Sequence, residues 1–133
     1  MGNMVSQTKN KIIKSKYGRI VQHGNGLIYF FIQDDLSIVS DSAKEMVEIV
    51  TGLDNSGQVR LVIVQGVNVE LTFGAQRYFG STKGFSHLAL VIESRLQAEV
   101  GQFLITMMRA LHSPYEIKLF HDLEQAEAWL LQI

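Results

Sequence analysis

Apolar positions in this chain alternate between two spacings, and the alternation predicts the fold. Residues 17–23 and 26–33 are rich in β-branched and aromatic side chains. Gly24 and Asn25, which tolerate positive φ, separate them and predict a tight hairpin. Beyond residue 40 the spacing becomes helical. Ala43, Met46, Val47, Val50 and Leu53 form one stripe, with Ser40 or Asp41 as N-cap and turn chemistry at 54–57. Residues 59–65 are almost continuously β-branched, the pattern of a strand covered on both faces of a parallel sheet. A short helix over 72–80 carries Ala75, Tyr78 and Phe79, and 87–93 is another buried-type strand. The longest helix spans 94–112, capped by Ser94, with Leu96, Val100, Phe103, Leu104, Met107 and Leu111 on its apolar face. Residues 115–120 form a fifth strand. Asp122 and Gln125 have capping-box spacing ahead of a final helix with Ala126, Trp129, Leu130 and Ile133 on one face. Trp129 is expected to anchor that helix in the core, against Phe120 and Leu130. The order β-β-α-β-α-β-α-β-α predicts an α/β sandwich. Its mixed sheet has about five strands, entered through an N-terminal hairpin, and four helices pack on it.

A chain of 133 residues is one domain's worth of sequence. Residues 1–11 are polar and aperiodic, which predicts a disordered tail ahead of a single domain over 12–133. The net charge of −1 conceals an asymmetry, because Lys9, Lys11, Lys14, Lys16 and Arg19 all precede the first acid, Asp34. No aromatic residue is interleaved with lysines 9–16, so this basic stretch is read as a tail running into an edge strand, not as a nucleic-acid platform. Residues 1–6 fit a degenerate myristoylation pattern, read as a chance match. The chain lacks cysteine, which excludes disulfides and thiolate chemistry. No apolar run approaches the ~20 residues of a membrane span. These features predict a cytoplasmic protein without an integral membrane segment. Residues 27–32 are six apolar residues in succession. If helices cover only one face of that strand, the other is free to meet a second copy, which predicts a homodimer.

Residue chemistry points away from catalysis. His23, His87, His112 and His121 have no metal-ligand spacing, and no metal or cofactor is expected. Asp34 and Asp35 read as solvated turn formers. Phosphate-binding glycine loops and nucleophile-elbow motifs are absent. The strand-to-helix junction over 66–80, where open α/β sheets usually place their ligands, offers only Thr72 at a helix start. Its hydroxyl is suited to accept from a backbone N–H two or three residues on. Arg77 stands one turn later, where it would meet a phosphate on Thr72.

Residues 59–79, 88–94 and 115–133, linked by the long helix, resemble SpoIIAA-like (STAS) domains over about 15–133, most nearly the stand-alone bacterial members of uncharacterised function. The strongest local match is the strand ending at Phe120, the acidic cap Asp122 and the Ala126-x-Ala128-Trp129-Leu130 pattern. The resemblance implies a non-enzymatic protein-interaction module. In anti-sigma-factor antagonists of this family, a D-S-S-G sequence opens the helix after the central strand, and a partner kinase phosphorylates its first serine. That tetrapeptide falls on residues 71–74. Gly74 matches and Thr72 takes the acceptor position, but Leu71 replaces the aspartate and Phe73 the second serine. SpoIIAA-like domains are also likened to lipid-binding carrier folds. The alternative is thus a cleft for a small apolar ligand, lined by Leu71, Phe73, Tyr78, Phe79, Phe103 and Met107.

Overall fold

A computed structural model describes residues 10–92, 102, 105–106, 109–110 and 112–133. Eight strands and three helices are delimited among the described residues: β1 (Lys11–Ser15), β2 (Gly18–Gln22), β3 (Ile28–Ile32), β4 (Ser37–Ile38), α1 (Ser40–Leu53), β5 (Gln58–Val64), β6 (Glu70–Leu71), α2 (Phe73–Ser81), β7 (Gly84–Val91), β8 (Glu116–Phe120) and α3 (Leu123–Leu131). The main sheet has six strands, not five, in the order β1-β2-β3-β5-β7-β8. β1 to β3 pair antiparallel, and β3, β5, β7 and β8 pair parallel. The additional strand is β1, which begins within the segment expected to be a tail and places Lys11 and Lys14 on the exposed edge. The helix expected over 94–112 lies largely outside the described residues. Residues 102, 105, 106, 109 and 110 are helical, and Ile105 is buried.

Two cores share the sheet because side chains alternate faces along each strand. Ile28, Phe30 and Ile32 of β3 point with Leu61 of β5 into the core under α1 and α2. Leu27 and Tyr29 point with Val62 and Ala89 to the opposite face, covered by Ala126 and Leu130 of α3. The register of β5 against β7 shifts between Val59 and Arg60, so that Phe85 and Leu88 reach the same face. The apolar run at 27–32 is therefore covered on both faces within one protomer, and the stated reason for a homodimer disappears.

Local chemistry differs from expectation at several ends. The hairpin bends through His23–Leu27, with positive φ at Gly26 and not at Gly24 or Asn25. Asn25 Oδ1 accepts from Leu27 N at 2.9 Å, which makes the loop longer than a two-residue turn. The N-cap of α1 is Val39, and Ser42 Oγ accepts from Val39 N at 3.4 Å. At α3, Asp122 accepts from the amides of Glu124 and Gln125 at 2.7 and 3.2 Å, as its position predicted. Arg60 donates to the Leu130 carbonyl at 3.0 Å and ties the end of α3 to β5. Trp129 packs against Phe120 but is only half-buried, and Ile133 is exposed; Ala126 and Leu130 are the residues that α3 buries fully.

Candidate interaction surface at the paired helix starts

The connections leaving β3 and β5 run side by side at one end of the sheet. β4 and β6 pair in parallel there, with Ser37 opposite Glu70 and Ile38 opposite Leu71. Asp34 and Asp35, expected as solvated turn formers, fasten the two connections together. Asp34 accepts from Val67 N at 2.7 Å, and Asp35 accepts from Asn68 Nδ2 at 2.9 Å. Asp35 and Asn68 both adopt left-handed backbone, at φ 59 and 60°, a conformation these two residue types tolerate. Gly66 sits where a Cβ would lie 2.5 Å from the Ile32 carbonyl oxygen, so only glycine admits this approach.

The mini-sheet delivers two helix starts next to each other. Thr72 N donates to Ile38 O at 3.0 Å, and the Thr72 hydroxyl accepts from Ala75 N at 3.2 Å. Thr72 is thus the N-cap of α2. A Cβ on Gly74 would fall 2.2 Å from Ser40 Oγ, which places the first turn of α2 directly against the first residue of α1. Gln76 donates to the Leu71 carbonyl at 3.0 Å, closing the turn from within. The positive ends of two helices therefore converge on this end of the molecule.

Apolar surface frames these polar ends. Phe73 is 66% exposed, Val67 60% and Val39 43%. The Arg77 guanidinium lies over the Phe73 ring, 5.9 Å from its centroid. Of the residues expected to line an apolar cleft, Phe73 projects into solvent. Leu71, Tyr78 and Phe79 pack against the α1/α2 core, and Phe103 and Met107 lie outside the described residues. Sequence patterning missed Val39 and Val67, since an apolar residue at the end of a strand run ordinarily signals burial.

Of the histidines, His87 comes closest to a site. Its ring meets Trp129 edge-on at 5.4 Å, and Nε2 lies 3.7 Å from Glu116. Nδ1 is buried without a partner among the described residues. No group of three or more His, Asp or Glu side chains that could hold a metal occurs among the described residues, and none of their helices is long and apolar enough to cross a membrane.

Comparison with known proteins fits this architecture. A crystal structure of an uncharacterised protein of the DUF3478 family from Shewanella loihica PV-4, described as having a SpoIIAA-like fold, superposes with a TM-score of 0.53 at 16% identity over 92% of each chain. That likeness is one of fold. No curated protein matches the sequence. A family model described as SpoIIAA-like matches residues 11–131, and the chain belongs to the SpoIIAA-like family.

Proposed function

We propose that this chain is a non-enzymatic regulatory module. It docks a protein, another chain or a second copy of itself, on the lip formed by Val39, Val67 and Phe73. One observation carries the reading. Of the six large hydrophobic residues exposed among the described residues, three stand at this end of the sheet, beside two helix starts that are firmly fastened together. A rigid frame with a greasy rim suits protein docking. The module includes β1 from Lys11 onward, and its lack of cysteine accords with a reducing cytoplasm. The apolar-carrier alternative needs room. Between Phe79, Thr82 and the sheet the structure leaves an apolar gap of about 40 Å³, whereas ligand sites occupy roughly 300–1,000 Å³. That gap is too small for such a ligand and, among the described residues, shares only Phe79 with the cleft residues named above.

A photo-crosslinking side chain at position 73 tests the proposal in the source cell. A discrete adduct, with one protein or with a second copy, is expected, and it should disappear when Val67→Asp is added. Phe73→Asp should abolish docking while leaving the melting temperature within about 2 °C, since surface changes cost at most ~0.5 kcal/mol. The absence of any adduct, together with a bound apolar molecule in the native mass spectrum, would overturn the reading in favour of the carrier.

A further inference from the structure

At the far edge of the sheet lies a second surface, distinct from the lip. β8 pairs with β7 on one side, and among the described residues no strand pairs with its other side. The direction of its free backbone groups follows from one hydrogen bond. Phe120 O accepts from Ile92 N at 2.9 Å, so the Phe120 carbonyl faces β7. In a parallel strand both backbone groups of a residue point to the same neighbour, and alternate residues point away. Glu116, Lys118 and Phe120 therefore face β7, while the N–H and C=O of Ile117 and Leu119 face outward.

A groove of about 590 Å³ runs along this open edge. On one side stand Arg109 and His112, whose helix end is closed by left-handed His112 donating to Arg109 O at 3.1 Å. The next residues are held to the α2 side of the sheet, where Tyr115 donates to the Phe79 carbonyl at 2.6 Å. Trp129 of α3 forms the opposite wall, with the Lys118 ammonium 5.8 Å from its ring centroid. An occupant reaching both walls must cross the sheet edge, past the free groups of Ile117 and Leu119. An extended chain does this as an added strand.

Charge selects the occupant. Arg109 and Lys118 line the groove against one acid, Glu116, although residues 34–133 as a whole carry seven bases and thirteen acids. From this geometry we infer that the β8 edge is a β-augmentation site for an acidic extended segment of a partner protein, with one acid facing Lys118 on the α3 side and a neighbouring acid facing Arg109 on the other. Its backbone would bond to Ile117 and Leu119, and an apolar side chain two positions from the acid at Lys118 would rest on Trp129. A second copy fits less well, because it brings its own walls and its own basic groups to the same edge.

Selection of random short peptides on the full-length protein tests the inference, read by quenching of Trp129, the only tryptophan. Selected peptides should be enriched in acids and slow amide exchange at Ile117 and Leu119. Their affinity should fall about tenfold in Lys118→Glu or Arg109→Glu, both at exposed positions, with circular dichroism showing each variant folded, and should weaken with salt. A library that yields no binder, binders without acidic enrichment, or protection confined to Thr72–Ala75 would overturn it. Sedimentation separates the remaining occupant: self-association abolished by Lys118→Glu would assign the edge to a second copy and overturn the peptide site. Failure at β8 leaves the crosslink at position 73 unaffected, so the two surfaces are tested separately.

Discussion

At Thr72 a single hydroxyl serves the helix, and its geometry states what a substitution should do. The hydroxyl accepts from Ala75 N at 3.2 Å. Thr72→Ala should therefore cost ~1 kcal/mol in urea unfolding, and Thr72→Ser should be nearly neutral. With Leu71 and Phe73 flanking it and Arg77 engaged over the Phe73 ring, we expect phosphopeptide mapping to find Thr72 unmodified. Tyr29 gives a second residue-level prediction. Burial, reinforced by its hydrogen bond to Glu127, pushes its phenol from 10.0 up to about 12. The native state thus holds this proton more tightly than the unfolded chain. The stabilisation is complete below pH 10 and is lost as pH rises towards 12. Tyr115, buried beside α2, is shifted the same way. Urea midpoints should fall across that alkaline window, and less steeply in Tyr29→Phe.

Among the elements, α3 shows how far periodicity reads correctly. The Asp122 cap and the burial of Ala126 and Leu130 follow from spacing alone. Trp129 does not: it stands at the border of the apolar stripe, where α3 overhangs the end strand of the sheet, so one side of its ring packs on Phe120 and the other lines the groove. Leu130→Ala should accordingly cost ~2–5 kcal/mol and Trp129→Ala less, reversing the order that side-chain size suggests. Chemical denaturation of the two variants gives the comparison. Equal costs, or a larger one for Trp129→Ala, would mean that the indole is buried after all. β1 was hidden for a related reason. Lysines interrupt its apolar positions, which is how edge strands avoid sticking and also how tails look in sequence.

Across the whole molecule, the two cores lie on opposite faces of the same strands. Every residue of β3 that leaves one core is followed by one that enters the other, so neither face can open without loosening the sheet. Unfolding should be one transition. Val50→Ala, on the buried face of α1, and Leu130→Ala, on the buried face of α3, should each lower the midpoint of that single transition. Separate transitions for the two faces, seen by Trp129 fluorescence against far-ultraviolet circular dichroism, would show that the cores are independent.

Periodicity and chain order by themselves determined the α/β class, the hairpin entry, the parallel pairing of the later strands and the Thr72 cap, because each depends on residues close together in sequence. The resemblance carried by the 115–133 segment likewise identified the family. Only the tertiary structure decided which apolar residues remain outside. Val39, Val67 and Phe73 have the same composition as core residues. Their exposure comes from the pairing of β4 with β6, more than thirty positions apart, and from the glycine that lets the two connections touch. The same holds for the β8 edge. That β8 ends the sheet follows from strand order, and the groove follows from residues about 10 to 20 positions apart meeting across that edge, a coincidence in space that no local pattern records.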